Sequence, residues 1–467
     1  MTAGLVQRVY DGSPVWFQNL LVSAYGYNLY RKRYTGGYRE LLEQVRQARH
    51  WDADEIEAYQ AERLHEKVRH CRRSVPYYQS LFAKLGLTEQ DFTATRDLTK
   101  LPILDKATLR AEPERFRAAG EQPFMIQHTS GSTGTPLALA VNRRTYQLAM
   151  ALLVEFEEYH GVPFGARRAT FAGRMVQPAE CTTPPFARFN RAENQMLFSS
   201  YHLNDNSFPW YQQALDHFQP MELIGYPSAI ADLANHYQQA GTRPGFQPRA
   251  VVTNSETLLD WQRTVIESVF GCPVRDYYGT AEYALFAGQD SEGLYRLNPV
   301  LGITEAIPDE TTGAETATLV ATTLTNTTMP LLRYRIGDTA QLLEPAYQPV
   351  RPASLARING RIDDYVETPD GRRIGRLDHI FKGLNGIAEA QIVQDAKDHC
   401  TIKVVVQPDL DPAELRTLKD NLSKRTAGML AITVQQVDRI PRGANGKFRA
   451  VIRELSSPQE SQAMDQA

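Results

Sequence analysis

Cysteine is scarce in this chain of 467 residues: Cys71, Cys181, Cys272 and Cys400 lie far apart, and no CxxC pair occurs. That spacing argues against a disulfide framework or a zinc site and favours reduced thiols. A long hydrophobic run is also missing. A spanning helix needs ~20 apolar residues, whereas the best candidate, residues 16–30, is interrupted by Gln18, Asn19, Ser23 and Asn28. It reads as an amphipathic helix that packs on the body or on a partner, with membrane-surface contact as the alternative. No basic segment followed by an apolar one opens the chain, so a secretory leader is not expected. Excess charge of either sign is absent too. The formal net charge of −3 offers no global field to nucleic acid or to an anionic membrane. A cytoplasmic protein with no integral membrane segment is the expectation.

What is there is ordinary in bulk and organised in pattern. Hydrophobic residues make up 42 % and charged residues 22 %, as in globular chains generally, and the length suits two or three domains. Residues 1–120 read as mostly helical. The carboxylates from Asp52 onward open a helix that carries Leu64, Val68 and Cys71, and Pro76 ends it, because proline disfavours helical geometry in the residue before it. Asp105 is the expected cap of a further helix. Residues 121–361 alternate strands (169–172, 223–226, 250–253) with helices (146–159, 209–217, 228–239, 259–269), then turn β-rich at 316–323 and 341–343. This predicts an α/β body with mostly parallel sheets. Residues 362–455 read as a small α+β domain joined by a hinge, with strands at 390–393 and 401–406 and a helix at 412–427 capped by Asp411. The tail, 456–467, is small and polar and reads as disordered.

The sharpest motif is the run Thr129, Ser130, Gly131, Ser132, Thr133, Gly134, Thr135, Pro136. Two glycines let backbone N–H groups approach a phosphate, and the interleaved hydroxyls add compact donors. No Gly-Lys-Ser/Thr follows, so it is not a Walker A loop. Read alone, it also fits a surface turn.

This run resembles the phosphate loop of the acyl-CoA synthetase, adenylation-domain and luciferase superfamily, and within it the phenylacetate–CoA ligase branch with its capsule-biosynthesis-associated relatives. Four further segments follow in that family's order. Asn254, Ser255, Glu256 and Thr257 resemble the strand end that precedes the adenine pocket. Tyr277, Tyr278, Gly279, Thr280, Ala281 and Glu282 are similar to its Tyr-Gly-x-Thr/Ser-Glu. That match implies that Tyr278 lines the adenine site and that Glu282 ligates Mg²⁺, a hard cation suited to oxygen ligands. Tyr334-Arg335-Ile336-Gly337-Asp338 resembles Tyr-Arg-Thr-Gly-Asp, implying that Asp338 accepts hydrogen bonds from the ribose hydroxyls. The segment from Gly360 resembles the interdomain hinge, with Arg361 reaching ribose or phosphate and Asp363 absorbing the rotation. Pro441 to Arg449 resembles the terminal Gly-Lys-x-x-Arg segment. Lys447 would be the catalytic lysine, although Arg449 falls one position nearer to it than the family arginine does. Two further departures are Leu137, where many members carry lysine, and Ala281, where a hydroxyl is usual. Singly, Glu282 also reads as a solvated loop carboxylate, Asp338 as part of a Gly-Asp turn, Arg361 and Asp363 as a charged linker, and Lys447 as a hairpin flank.

The resemblance implies ATP-dependent conversion of a carboxylic acid to acyl-AMP with release of pyrophosphate. The loop (Thr133 included), Mg²⁺ on Glu282, and Lys447 would supply positioning and charge neutralisation. Acyl transfer would follow, in the first place to coenzyme A. The alternatives are an amine or hydroxyl of a polysaccharide or natural-product precursor, a carrier protein, or a catalytically silent nucleotide-binding protein, suggested by Leu137 and Ala281. Arg174, Tyr201, His202, Tyr226 and Pro227 fall where the family places its acyl pocket; for the two tyrosines core packing is an even alternative. By the same analogy the chain forms a homodimer.

Overall fold

The computed structural model describes the chain apart from residues 1–9, 129–136, 175, 179, 257, 259, 310–312, 360–365, 375, 376, 378, 379, 381–383, 385, 407–409, 439, 441–450 and 455–467. Four helices come first: α1 (Val15–Tyr34), α2 (Tyr38–Ala48), α3 (Ala53–Ser74) and α4 (Pro76–Leu85). A capping box starts α3. The Asp52 side chain accepts from the Asp54 and Glu55 amides, and Glu55 Oε2 accepts from the Asp52 amide at 3.0 Å, which satisfies donors that the first helical turn leaves over. Val75, extended ahead of Pro76, separates α3 from α4. The next helix, α5 (Lys106–Ala111), corrects one expectation: Asp105 makes no side-chain cap. Its carboxylate instead accepts from Arg335 Nε at 2.8 Å, because a cation from a distant strand stands closer than the helix amides.

A hairpin of β1 (Met125–His128) and β2 (Ala138–Val141) flanks the segment 129–136. Then α6 (Arg143–Tyr159), capped by Asn142, leads into β3 (Arg168–Phe171), β4 (Ala187–Asn190) and β5 (Gln195–Phe198). Next come α7 (Phe208–Phe218), β6 (Glu222–Gly225), α8 (Pro227–Gln239), β7 (Ala250–Asn254), α9 (Asp260–Phe270) and β8 (Val274–Gly279), followed by β9 (Phe286–Gln289) and β10 (Tyr295–Leu297). An antiparallel sheet is built from β11 (Gly302–Asp309), β12 (Gly313–Thr323) and β13 (Tyr334–Gln341). The short β14 (Ser354–Leu355) returns to the edge of the large sheet, and β15 (Arg357–Asn359) completes the antiparallel one.

The large sheet has nine strands in the order β14-β10-β9-β8-β7-β6-β3-β5-β4. Its centre, β5-β3-β6-β7-β8, is parallel, as the alternating pattern predicts, and its strands read as buried runs such as Val251 and Val252 because helices cover both faces. The first strand of this parallel set, β3, lies inside it, so the chain winds one way to β5 and the other way from β6. In open α/β sheets ligands bind outside the carboxyl ends at such a reversal; here those ends are Phe171 and Gly225, paired in register.

A separate C-terminal unit contains β16 (Val366–Glu367), β17 (Arg373–Ile374), β18 (Ile387–Ala396), β19 (His399–Val406), α10 (Pro412–Arg425), β20 (Ala431–Gln436) and β21 (Val451–Arg453). Its four-stranded sheet, β20-β19-β18-β21, shares a core with Leu418 and Leu422 of α10. Asp411 caps that helix, accepting the Ala413 amide at 2.8 Å. The expected domain boundary at 361/362 and the tail 456–467 fall outside the described residues.

Helix α1 packs on the body, but not as the amphipathic helix expected: Gln18 and Gly26 are its buried residues, while Trp16, Leu20, Tyr25 and Tyr27 stay exposed, because the edge it covers offers backbone groups that polar side chains satisfy. Strand β4 is the sheet's outer edge, where backbone groups need partners. Asn19 Oδ1 accepts from the Phe189 amide at 3.0 Å, and Ser23 Oγ donates to the Phe189 carbonyl at 3.3 Å while accepting from the Arg191 amide at 3.0 Å. A Cβ on Gly26 would stand 2.1 Å from Asn190 Oδ1, so glycine permits this close approach. Among the described residues no helix is long and apolar enough to cross a membrane.

Candidate active site

Strands β7 and β8 run side by side with Asn254 opposite Tyr277, which brings two of the predicted segments to one end of the sheet. Ser255 there is left-handed, at φ 68°, a conformation that costs a non-glycine residue ~1–3 kcal/mol and clusters at ligand sites. Its Oγ donates to Asn254 Oδ1 at 2.7 Å. Glu256 turns toward α8, its Oε2 accepting the Ser228 amide at 3.2 Å. Thr280 Oγ1 accepts the Ala284 amide at 3.2 Å, so it holds the turn that follows β8. Tyr277 stacks on Phe286.

Two phenol–carboxylate bonds then join this end of β8 to β13. The Tyr278 hydroxyl donates to Asp338 Oδ2 at 2.5 Å, and the Tyr334 hydroxyl donates to Glu282 Oε1 at 3.1 Å. Gly337, at φ 96°, supplies the backbone turn beside Asp338. Glu282 is only 7 % exposed, so it is no solvated loop carboxylate. Tyr334, not singled out by the motif reading as a site residue, is what holds it.

A lone buried carboxylate is not a metal cage. Among the described residues no group of three or more His, Cys, Asp or Glu could hold an ion. Glu282 fits instead a hard cation that keeps several waters and arrives on its phosphates.

Thr129, Ser130, Gly131, Ser132, Thr133, Gly134, Arg361, Asp363 and Lys447 lie outside the described residues. On the described side of the loop, Leu137 is buried in the core shared by the N-terminal helices and the antiparallel sheet. It is a packing residue where the family often has a lysine.

The five expected pocket residues separate. Arg174 is exposed just beyond the carboxyl end of β3. Gly173 beside it has φ 60°, and a Cβ there would lie 2.7 Å from the Tyr226 ring. Tyr226 therefore covers the loop at the sheet's reversal point, and Pro227 opens α8, where its missing N–H costs nothing. His202 is occupied within the fold. Its ring nitrogens lie 2.7 Å from Ser199 Oγ and 3.0 Å from the Pro178 carbonyl, and burial lowers its pKa. Tyr201 packs into the core of the C-terminal unit. Its carbonyl accepts from Arg372 Nη1 at 2.8 Å, and the Arg425 guanidinium stands 5.4 Å from its ring centroid.

Two adjoining cavities lie here. The smaller, 380 Å³, is lined by Gln127, Asn254, Ser255, Gly279, Thr280 and Ala281 among others. The larger, 590 Å³, spreads along the sheet face from Ala172, Arg174 and Gly225, beneath α1 and α6. Met150, Leu153, Asn254 and Tyr277 line both.

Apart from Arg174 at the rim, the charges in the larger cavity are paired. Arg168 Nε donates to Glu222 Oε2 at 2.6 Å, and its Nη2 donates to Glu157 Oε2. Burial pushes the Glu157 carboxyl up, against the pull of Arg168, and the neighbouring Glu222 adds to it. Arg33 Nη1 donates to Glu193 Oε1 at 2.7 Å. Behind Tyr277, Asp276 accepts from Thr253 Oγ1 and the Tyr295 hydroxyl, both at 2.6 Å, and burial pushes it up to about 7. No motif flagged Arg168, Glu157 or Glu222; their one sequence signal is charge inside otherwise buried segments.

Residues 366–454 match the family model of the CapK C-terminal domain. Protein CapK of Staphylococcus aureus is 28 % identical over 460 residues, covering 97 % of this chain and 100 % of that protein. The phenylacetate-coenzyme A ligase of Pseudomonas putida is 25 % identical over 359 residues, covering 70 % of this chain and 75 % of that one. A crystal structure of 2-hydroxyisobutyryl-CoA ligase, in complex with 2-HIB-AMP and CoA, superposes with a TM-score of 0.52 at 20 % identity, over 89 % of this chain and 93 % of that one. The chain thus has CapK and phenylacetate–CoA ligases as homologues, and it has the fold of an adenylate-forming ligase.

Proposed function

We propose that this relative of CapK and the phenylacetate–CoA ligases is an AMP-forming ligase that activates a carboxylic acid with ATP and passes the acyl group to coenzyme A. The observation that carries the reading is the convergence of Tyr278 on Asp338 and of Tyr334 on Glu282 beside the carboxyl ends of β7 and β8. Two carboxylates are there pinned by phenols at the end of the sheet where α/β folds bind ligands.

In this reading Tyr278 flanks the adenine, and Asp338, an acceptor with two oxygens, takes the ribose hydroxyls. Glu282 would hold Mg²⁺, which neutralises phosphate charge when bound. A carboxylate oxygen of the acid attacks the α-phosphorus in line; the bond to the β-phosphate oxygen breaks, and pyrophosphate leaves. Thr129 to Gly134 would cradle the phosphates with backbone amides and hydroxyls, and Arg361 would reach ribose or phosphate. Lys447 would neutralise the oxygens that react. No covalent enzyme intermediate is needed. The C-terminal unit then turns about Asp363, and the thiol of coenzyme A attacks the acyl carbon and expels AMP, its proton passing to solvent. ATP and a reduced thiol as substrates place the work in the cytoplasm.

One likeness favours a second acceptor class: the indoleacetate–lysine synthetase of Pseudomonas savastanoi is 27 % identical over 267 residues, covering 55 % of this chain and 62 % of that one. An amine or hydroxyl acceptor is the reading to set beside coenzyme A. Substrate-dependent ATP–pyrophosphate exchange over aryl, fatty, amino and uronic acids tests the activation step, and mass spectrometry with coenzyme A and mixed amines tests the acceptor. ATP binding without exchange on any acid would leave a silent nucleotide-binding protein.

A further inference from the structure

The larger cavity has a wall that none of the motifs addresses. Leu21, Tyr25 and Leu29 of α1 face Met150 and Leu153 of α6 and Ile224 of β6 across it. The helix is held in place by named contacts: Asn19 and Ser23 on the edge strand, and Gly26 against Asn190, where a Cβ would force the helix or the Asn190 side chain to shift. The cavity also opens outward beside α1, since Leu21 is 37 % and Tyr25 61 % exposed.

We propose that α1 is the roof of the acid-binding site, and that the acid it selects is a bulky one with an uncharged, largely apolar body lying under Leu21, Tyr25 and Leu29. This rests on the adenylation reading, which puts the reacting carboxylate where the two cavities meet, by Asn254 and Tyr277. Size is the first argument. At 590 Å³ the roofed cavity sits within the 300–1,000 Å³ range that accommodates drug-sized ligands, well beyond what a short aliphatic acid fills. Charge is the second. Arg168 of the floor is bound to Glu157 and Glu222, and Arg33 of α1 to Glu193, so these cations already have partners. A second charge on the ligand would be buried without compensation, which is costly. Arg174 at the rim, lacking an ion pair among the described residues, favours the carboxylate end. Tyrosines 25, 34 and 277 supply flat walls with polar tips, which suit fused or substituted rings.

The test is calorimetric titration of the full chain, without nucleotide, with 2-naphthylacetate, phenylacetate, acetate and glucuronate, alongside exchange assays on the same acids. The expected order is 2-naphthylacetate at least ten times tighter than acetate or glucuronate. Leu29→Trp, which fills the space under the roof, should abolish the preference for 2-naphthylacetate over phenylacetate and leave ATP binding unchanged. Tyr25→Ala, at the exposed mouth and tolerable for folding, should weaken 2-naphthylacetate several-fold and leave acetate alone. Unaltered acid selectivity in the folded α1 variants, or tightest binding of glucuronate, overturns the proposal. Exchange that proceeds with acids whose selectivity ignores α1 sinks the roof alone. Selective binding that follows α1 with no exchange on any acid sinks the adenylation reading alone.

Discussion

The Tyr278 hydroxyl reaches Asp338 Oδ2 at 2.5 Å across 60 residues of sequence. Each belongs to a separate motif, and each was expected at the nucleotide. The bond orients the carboxylate through one of its oxygens, and the proposed ribose recognition would depend on that orientation.

Removing that carboxylate should weaken ATP binding. Hydrogen bonds to charged groups contribute ~1.5–3 kcal/mol, so Asp338→Ala is expected to raise the Kd for ATP by about 10- to 100-fold in a calorimetric titration. Tyr278→Phe, which keeps the ring but loses the orienting bond, should cost less. Native ATP affinity in Asp338→Ala would remove Asp338 from the nucleotide site.

Lys447→Ala should lower the rate of acyl-AMP formation by on the order of 10²–10³, the usual loss when a preorganised charge stabiliser is deleted, with ATP affinity unchanged. Stopped-flow pyrophosphate release is the measurement. A variant that forms acyl-AMP at the native rate would end the assignment.

Arg372 ties the C-terminal unit to the large domain by its bond to the Tyr201 carbonyl at 2.8 Å. Arg372→Ala should therefore raise amide hydrogen exchange where Tyr201 packs against the C-terminal core, while the β7 and β8 ends keep native protection. Unchanged exchange at that contact would show that packing around Tyr201 alone holds it.

The pH dependence of stability carries a signature of Asp276. Its folded value of about 7 lies above the ordinary 3.8, so the folded state keeps a proton that the unfolded chain has already released, and stability falls as pH rises between those values. His160 acts in the other direction. Burial pushes it down to about 4 from 6.5, so its contribution is present above 6.5 and is lost as pH falls toward 4. Asp276→Asn should remove that fall between about pH 4 and pH 7, so that its Tm rises with pH relative to the native protein across this window, and leave the opposing rise set by His160. A variant whose Tm profile runs parallel to the native one would contradict this.

The buried Glu305–Arg333 pair joins β11 to the turn before β13, with both hydrogen bonds at 3.0 Å. Removing one partner strands the other charge, so Glu305→Ala should cost ~3–5 kcal/mol of unfolding free energy by denaturant titration. A loss below about 1 kcal/mol would mean that water reaches Arg333.

Helices α6 to α10 and strands β3, β6 and β7 could be read from the chain because periodicity, proline and capping side chains act within a few residues. The stretches proposed to bind nucleotide could be named for the same reason: each motif is contiguous, and contiguous stretches carry their own backbone geometry. Partnerships between distant side chains were decided only in three dimensions. Gln18, Asn19 and Ser23 look like breaks in an apolar stretch, yet Asn19 meets an edge-strand amide 170 residues away. His202 looks like a pocket residue, yet Ser199 and Pro178 occupy its ring. Asp105 looks like a cap, yet Arg335 claims it. A polar side chain bonds to whatever the fold brings nearest, and alternation along the sequence specifies which face a residue takes but not what stands opposite it. So the sequence alone named the stretches proposed for the chemistry, and packing of α1 over the sheet decided the shape of the cavity beside its carboxyl ends.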